Sequence, residues 1–407
     1  MEVLHPQCAG LDVHKEEVVA CARVQHASRA TYTEARLPTT TRGLLALAEW
    51  LQAHQCLQVA MEATGVYWKP VWHLLEECCN LVLVNAQHVK AVPGRKSDTN
   101  DAHWLADLLA HGWVRASFVP PTPIQELRDL TRTRKQLVRE VAQHTLRIQK
   151  TLEDANIKIT GIVSDLLGSS GRAILTGLIE GVTDPVALLA RTTGRLKAER
   201  GRLLDGLQGR VTAHHRFLLQ LHLHQIEALD AAIGEVDAAL ETRLAPFQDV
   251  LTRLTTIPGV SDVVAQTIVA EIGVDMTRFP TVGHLISWAG LCPRMDESAG
   301  KRRSTRVRHG APWLKTTLVQ AAWAGKRAHH TYLQAQFHRL SARRGPKKAI
   351  VAVAASTLTA VYFILRDGTE YHDLGGEYFD QRQKTRTVRR LTKRLEALGY
   401  DVQIKAA

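Results

Sequence analysis

Residues 95–103 read Arg-Lys-Ser-Asp-Thr-Asn-Asp-Ala-His, and this stretch decides how the N-terminal part of the chain is interpreted. Asp98 and Asp101 stand three residues apart at the predicted start of a helix, so their carboxylates share one helix face. Two like charges at this spacing repel each other, and a divalent cation would relieve the repulsion. Capping and the helix macrodipole also favour Asp at a helix start. The pair by itself therefore predicts either a metal site or a helix cap.

The sequence around this stretch predicts an α/β domain. Short strands and amphipathic helices are predicted in the order strand 8–15, strand 17–24, strand 30–37, helix 40–54, strand 57–61, helix 67–79, strand 81–85 and helix 98–111. This is the order of the RuvC/ribonuclease H-like fold, which we predict for residues 1–120.

Two further acids stand at predicted strand ends. Asp12 ends the first strand and Glu62 the fourth, and sites in α/β sheets collect at such ends. Asp12 alone is also explained as a turn residue and Glu62 as a helix cap. With Asp98 and Asp101 they form a candidate tetrad of metal ligands. Carboxylate oxygens suit Mg²⁺, and two such ions can stabilise the attacking and leaving oxygens of a phosphodiester displacement.

The charge of the chain is unevenly distributed. The net charge is +12 over 407 residues, which indicates a polyanionic partner such as nucleic acid. Lys and Arg together number 10 in residues 1–120, 17 in 121–245 and 25 in 246–407. Asp and Glu together number 12, 15 and 13 in the same three ranges. We therefore expect a cation-binding N-terminal domain and a phosphate-binding C-terminal part.

The middle of the chain, residues 121–245, is predicted to be a helical linker with coiled-coil character. Pro120, Pro121 and Pro123 mark the boundary before it. Apolar residues at near-heptad spacing predict long helices over 124–157 and 215–244. The histidines of the second helix lack partners at ligand spacing. They are expected on a solvated helix face rather than around a metal: His214, His215, His222 and His224.

Residues 246–366 are predicted to form a helical C-terminal domain. Leu254–Ile272 has the form helix, Pro-Gly turn, helix, which resembles a helix-hairpin-helix element. The turn amides near Gly259 would bind a DNA phosphate without reading sequence.

A basic loop over residues 290–310 follows this element. Its cations stand behind a Ser-Ala-Gly turn that begins at Ser298; they are Lys301, Arg302, Arg303, Arg306 and Arg308. As a functional element it would bind phosphate, with Ser298 close to the scissile bond. The alternative is a disordered basic loop and a simple turn serine. A serine hydroxyl needs a base or a metal to become a good nucleophile, and no base is evident beside Ser298.

The remaining features indicate location and a further nucleic-acid contact. Residues 367–407 form a basic tail that we expect on nucleic acid or mobile. The six cysteines lack metal-ligand spacing and indicate reduced thiols in a cytosolic protein. No signal pattern or membrane span is recognised, and Ala349–Leu365 is predicted to be a buried helix.

Six motifs, in order along nearly the whole chain, resemble the DEDD transposases of bacterial insertion sequences. The family is related to the Piv DNA invertase and described as bridge-RNA-guided recombinases. The motifs read GLDVHK, MEATGVYW, NAQHVKAVPGRKSDTNDAHWLADLL, IPGV, WAGLCPRMDESAGKRR and HGAPWLK. Residues 160–213 match the family least clearly.

The resemblance implies Mg²⁺ held by Asp12, Glu62, Asp98 and Asp101, and a C-terminal serine that forms a covalent phosphoserine with DNA. By motif position that serine is Ser298, with Ser304 second; family members usually carry Gly directly after the serine, where this chain has Ala. The resemblance also implies donor and target duplex DNA, a bridge RNA, and a homo-oligomer, dimer or tetramer, in which one subunit's acids meet another's serine. Arg95 and Lys96 are predicted nucleic-acid contacts. The expected location is the bacterial cytoplasm, at the nucleoid.

Two other functions fit the same residues. A RuvC-like, structure-specific nuclease would use the tetrad to activate water and leave Ser298 idle. A non-catalytic nucleic-acid-binding protein with a decayed fold would need none of the acids. The presence of all four acids argues against decay.

Overall fold

The computed structural model describes residues 2–26, 29–62, 65–85, 101–163, 165–192, 199–294, 296–298, 300–304, 306–382 and 384–403. The chain packs into two compact units, Met1–Val119 and Pro120–Ala407. The finer division at residues 245 and 366 stays a prediction.

The first unit is a mixed five-stranded sheet with helices. Its elements follow in the order β1 (Gln7–Val13), β2 (Glu17–His26), β3 (Arg29–Pro38), α1 (Thr41–Ala53), β4 (Gln58–Glu62), α2 (Trp68–Leu75), β5 (Asn80–Val84) and α3 (Asp101–Ala110). The strand order is β3-β2-β1-β4-β5. Strands β1, β2 and β3 pair antiparallel, whereas β1-β4 and β4-β5 pair parallel. This confirms the predicted α/β class and is consistent with a ribonuclease H-like fold.

The central strand β1 is buried on both faces because its side chains alternate between two cores. Ala9, Leu11 and Val13 join a core that includes residues of α1 and α2. On the opposite face, Cys8 packs with residues of α3. A strand covered on both faces needs a nearly continuous apolar sequence. The acid within it, Asp12, therefore stands out.

The second unit is helical. Its helices are α4 (Thr122–Asp154), α5 (Ser169–Glu180), α6 (Pro185–Ala190), α7 (Arg200–Gly206), α8 (Ala213–Leu244), α9 (Gln248–Thr255), α10 (Asp262–Ile272), α11 (Val282–Trp288), α12 (Pro312–Gly325), α13 (Tyr332–Arg344), α14 (Pro346–Asp367), α15 (Tyr378–Arg382) and α16 (Lys384–Ala397). A two-stranded hairpin, β6 (Asp296–Ser298) and β7 (Lys301–Ser304), lies between α11 and α12. Helix α13 is absent from the sequence-based prediction.

The two longest helices, α4 and α8, pack side by side in opposite directions. Near one end of the pair Arg134 Nη2 donates to Asp237 Oδ2 at 3.0 Å. Near the other end His215 Nε2 lies 3.0 Å from Asp154 Oδ2. Ile148, Leu152, Leu219 and Ile226 fill the seam between them. The predicted hairpin of two long helices is therefore observed.

The expected solvated histidine face on α8 is partly wrong. His215 is only 9% exposed, and its ring also accepts a bond from the Thr212 backbone amide, closing the helix N-terminus. His222 Nδ1 lies 3.3 Å from His144 Nδ1 on α4. Burial and the neighbouring His144 and Arg147 lower the pKa of His222. A helical pattern gives the face of a residue but not the partner helix that covers it.

Helix α14 is the core helix of the second unit. By length and composition it could cross a membrane, but half of its most apolar window is buried inside the protein. Ile350, Val353, Leu358 and Val361 are at most 3% exposed, and the Tyr362 hydroxyl donates to the Phe279 carbonyl at 3.1 Å. These contacts fit the expected buried helix.

Candidate active site

The predicted acids lie at the ends of neighbouring parallel strands: Asp12 is the next-to-last residue of β1 and Glu62 the last residue of β4. Strands β1 and β4 pair from Cys8↔Gln58 to Leu11↔Met61. One further step of this register brings Asp12 beside Glu62, the last residue of β4. In-register residues of parallel strands project from the same face of the sheet. Both carboxylates therefore belong to the face that carries α3, and both are half-buried.

Helix α3 brings Asp101 to the same edge of the sheet. Gly10 lies so close to this helix that a Cβ on it would stand 2.1 Å from the Ala102 carbonyl oxygen and 2.6 Å from the Ala106 nitrogen. Only a glycine permits this approach. Asp101 is the first residue of α3, and it precedes the point of contact by one residue. The glycine of the GLDVHK motif thus sets the distance between the helix and the strand that carries Asp12.

The electrostatics of Asp12 reflect this crowding. Burial is the largest cause that raises its pKa, and the negative charge of Asp101 raises it further. His14 opposes both effects, because its Nε2 lies 3.1 Å from Asp12 Oδ2. His14 is the residue that sequence reasoning missed here, although it belongs to the motif itself. A cation would relieve the repulsion between Asp12 and Asp101.

The fourth predicted acid, Asp98, lies outside the described residues, as do Arg95 and Lys96. Across the described ranges, no group of three Asp, Glu, His or Cys side chains is close enough to share one ion. Three hard oxygen donors nevertheless belong to one edge of the sheet, Asp12, Glu62 and Asp101. This donor chemistry fits a divalent cation such as Mg²⁺.

A polar cluster missed by sequence reasoning fixes α3 on the sheet. Asp107 Oδ1 accepts hydrogen bonds from Arg23 Nε at 2.9 Å and from the Tyr32 hydroxyl at 2.7 Å. The Tyr32 ring stacks on His103, with centroids 3.7 Å apart. Arg23 is 4% exposed although it lies in the middle of β2. An arginine inside an apolar strand was the available signal, since a buried guanidinium needs an acidic partner.

Residues 290–310, predicted to be a basic loop, contain the short hairpin of β6 and β7. The prediction of a loop is wrong for these two strands. Asp296 pairs with Ser304 and Ser298 pairs with Lys301. Gly300 has φ +72° in the turn, a conformation that favours glycine. Below the strands, the Arg294 amide donates to the Arg306 carbonyl at 2.7 Å. The backbone pairing holds the basic residues on a defined scaffold rather than on a free loop.

Ser298 ends β6 next to the turn, and its side chain lies outside the described residues. The side chains of Arg302 and Arg303 also lie outside them. Lys301, Arg306 and Arg308 are exposed. Ser304, the second candidate nucleophile, accepts a hydrogen bond from the Arg306 amide at 3.2 Å.

Gly259 occupies the predicted Pro-Gly turn between α9 and α10. Its φ is +88°, and a Cβ there would stand 2.3 Å from the Ala321 carbonyl oxygen of α12. Close packing therefore accounts for the glycine. Its contact with a DNA phosphate stays a prediction.

Comparison with known proteins gives two family matches and several relatives. A family described as "Transposase", of the DEDD IS110 type, matches residues 9–157. A second, described as "Transposase IS116/IS110/IS902 family", matches residues 251–338. The first match spans Asp12, Glu62, Asp98 and Asp101, and the second spans Ser298 and the basic hairpin.

Three individual proteins also resemble this chain, each at 28% sequence identity or less. An "Insertion element IS110 uncharacterized 43.6 kDa protein" of Streptomyces coelicolor is 26% identical over 303 residues, 69% of this chain and 73% of the relative. "Putative transposase y4qE" of Sinorhizobium fredii is 24% identical over 347 residues, 76% of this chain and 74% of the relative. "Putative transposase y4rJ" of the same organism is 28% identical over 260 residues, 61% of this chain and 59% of the relative.

These matches identify the protein as a DNA transposase, and the sheet of the first unit is consistent with that class. More narrowly, the chain belongs to the IS110 family of DEDD transposases.

Proposed function

We propose that this transposase is a site-specific recombinase that cuts and rejoins DNA through a covalent bond to Ser298. The observation that supports the proposal best is the approach of Asp101 on α3 to Asp12 on β1, at the edge where Glu62 ends β4. With Asp98, these acids would hold Mg²⁺. The fit rests on the carboxylate donors and on the raised pKa of Asp12, which burial causes first and the charge of Asp101 increases.

The proposed step is a displacement at phosphorus. The Ser298 Oγ forms a bond to the scissile phosphorus, and the bond between that phosphorus and one sugar oxygen breaks. The serine hydroxyl loses its proton, and the departing sugar oxygen gains one. The reverse step, with a sugar hydroxyl of another strand end, rejoins the DNA and restores the serine. Bound Mg²⁺ would supply charge stabilisation to the oxygens that become negative.

Two groups of residues have separate tasks in this proposal. The exposed cations of the hairpin, Lys301, Arg306 and Arg308, would hold the phosphate backbone, together with Arg302, Arg303, Arg95 and Lys96. The turn at Gly259 would add a sequence-independent phosphate contact as a helix-hairpin-helix element. The acids of the first unit would orient the metal.

The decisive experiment traps the covalent product. The purified protein is incubated with labelled DNA of its element ends and Mg²⁺, denatured, and examined for DNA that migrates with the protein. Ser298→Ala should abolish the adduct, whereas the matched control Ser304→Ala in the same hairpin should retain it. The opposite result would move the nucleophile to Ser304.

The nuclease alternative makes a different prediction in this assay. If Ser298→Ala cleaves DNA at the wild-type rate without an adduct, a metal-activated water is the nucleophile. If Asp98→Asn and Asp12→Asn both leave all activity intact, the protein acts without catalysis by the acids.

We further propose a non-coding RNA partner and a homo-oligomer, dimer or tetramer, that acts at the nucleoid in the bacterial cytoplasm. Support comes from the family and from the positive C-terminal part. The α4–α8 pair would serve as a coiled-coil linker. RNA that copurifies with the co-expressed element can be sequenced.

Mixing Asp12→Asn with Ser298→Ala should restore the adduct if acids and serine act from different subunits. Failure of the mixture, with each parent folded, would contradict shared sites.

A further inference from the structure

A row of four cations runs along one face of α4 in the second unit. Arg128, Arg132, Lys135 and Arg139 follow at spacings of four, three and four residues. Such spacing places all four on one helix face. The row extends over about 16 Å, at 1.5 Å per residue.

One buried acid pairs with the first two cations of this row. Glu271 on α10 is 1% exposed, and its carboxylate accepts two bonds from Arg132, Nε to Oε1 at 2.8 Å and Nη2 to Oε2 at 2.9 Å. Arg128 Nε lies 3.6 Å from the same carboxylate. Glu271 therefore pairs with the first two of the four cations, and the charge of Asp129 also acts on Arg128.

Among the described residues the second half of the row forms no ion pair, although the charge of Glu271 still acts on Lys135. The Lys135 ammonium donates to the Thr317 hydroxyl at 3.2 Å, and burial, followed by the charge of Arg139, lowers the pKa of Lys135. Arg139 is exposed. Holding these two cations near each other costs free energy in the unbound protein, and a bound anion would recover that cost.

The row converges on Trp313, near the N-terminus of α12. Its ring centroid lies 5.6 Å from the Arg132 guanidinium carbon, 5.8 Å from Lys135 Nζ and 5.3 Å from the Arg139 guanidinium carbon. An aromatic ring tolerates adjacent cations through its quadrupole. The Trp313 ring therefore contacts Arg132, Lys135 and Arg139 without neutralising their charges.

The positive region continues from this ring to the base of the hairpin. Lys315, two residues after Trp313, donates from Nζ to the Arg308 carbonyl at 2.9 Å. Arg308 itself belongs to the basic segment behind Ser298. The row on α4 and the hairpin are thus joined through the first turn of α12.

We propose that Lys135, Arg139 and Trp313 form a second phosphate-binding site, which holds the phosphodiester backbone of the nucleic acid that the hairpin engages. This inference rests on the proposed function of the hairpin but adds residues to it. Cations spaced along a helix suit successive phosphates, and phosphate contacts position a duplex without reading its sequence. Guanidinium and ammonium groups without ion pairs are the side chains that bind phosphate most readily.

The test measures how binding depends on salt. Fluorescence anisotropy with a labelled DNA duplex, and separately with a labelled RNA strand, gives the dissociation constant over a series of NaCl concentrations without divalent cation. The logarithm of the association constant falls as the logarithm of the salt concentration rises. Removing one phosphate contact makes this negative slope smaller in magnitude, by about 0.9 for duplex DNA or about 0.7 for a single strand. We expect that loss for Arg139→Gln, and restoration by Arg139→Lys.

The matched control is Lys150→Gln. Lys150 is also exposed on α4, and its substitution removes one positive charge, as Arg139→Gln does. Wild-type slope in this control together with the loss in Arg139→Gln supports the site, and the polymer whose slope falls is the one held there. Equal slopes in both variants overturn the proposal. Trp313→Ala, which removes the ring but no charge, should also weaken binding; unchanged binding would contradict the role of the ring.

This outcome is separable from that of the proposed function. The binding assay uses neither Ser298 nor the acids, so a failed adduct experiment leaves it interpretable. Conversely, if Arg139→Gln forms the adduct normally at saturating DNA and keeps the wild-type salt slope, that result contradicts only the proposal of the second phosphate site.

Discussion

Asp107 on α3 accepts a hydrogen bond from Arg23 on β2, with Nε and Oδ1 2.9 Å apart, and this pair ties the helix that carries Asp101 to the sheet that carries Asp12. Arg23 is almost fully buried, and its Nη1 has no hydrogen-bond partner among the described residues. The guanidinium therefore depends on Asp107 for its charge compensation.

Replacing Asp107 by Ala should destabilise the first unit by about 2–3 kcal/mol, because a bond to a charged group is lost and a cation is left buried. Tyr32→Phe removes one bond to the same carboxylate and should cost only about 1 kcal/mol. Hydrogen exchange of the amides of α3, followed by mass spectrometry, measures both. Equal protection in the two variants would show that the ion pair does not hold the helix.

Gly10→Ala should displace α3, since the added methyl group would lie 2.1 Å from the Ala102 carbonyl oxygen. Overpacking of this kind costs roughly 1–3 kcal/mol or more, and it would also separate Asp101 from Asp12. We expect a lower melting temperature and weaker Mg²⁺ binding by calorimetry. The matched control Gly234→Ala, in the open middle of α8, should be neutral or stabilising by up to about 1 kcal/mol.

Glu271→Ala should be among the most destabilising single changes in the second unit. The substitution leaves the Arg128 and Arg132 guanidiniums without their shared carboxylate, and breaking a buried pair typically costs about 3–5 kcal/mol. Chemical denaturation monitored by circular dichroism measures the loss. The exposed pair between Arg243 and Glu126 provides the comparison: Glu126→Ala should change stability by at most about 1 kcal/mol.

Three buried thiols of the first unit should resist alkylation at pH 8. Burial raises the pKa of Cys8 and Cys21 to about 12 and that of Cys56 to about 11. Since the thiolate is the nucleophile, these residues should stay unmodified while the half-buried Cys292 reacts. Peptide mass spectrometry after iodoacetamide treatment tests this order. Rapid modification of Cys8 in the folded protein would contradict it.

The same pKa shifts set a direction for stability. A thiol whose pKa is higher in the folded than in the unfolded state stabilises the fold at low pH. Stability should therefore decline as the pH rises above about 9, where unfolded thiols ionise, toward 12. A denaturation midpoint that rises over this interval would show that other groups dominate.

Local sequence determined the element order of the first unit. Alternating and β-branched runs specify strands, apolar residues at helical spacing specify helices, and the short connections leave few ways to join them. Strands β1 to β5 and helices α1 to α3 accordingly appear in the predicted order. The prediction of Asp12 and Glu62 as strand-end acids followed from the same local patterns.

Only the tertiary structure decided which distant side chains meet. The partners of Arg23, His215 and Lys135 come from elements 84, 61 and 182 residues away, and no local period encodes such pairs. The hairpin around Ser298 depends on strand pairing rather than on apolar pattern, so its charged sequence resembles a loop. The sequence by itself thus determined the elements and the acids, because these depend on near neighbours. Packing decided the closeness of Asp101 to Asp12 and the row of cations around Trp313, because both arise where separate elements come into contact.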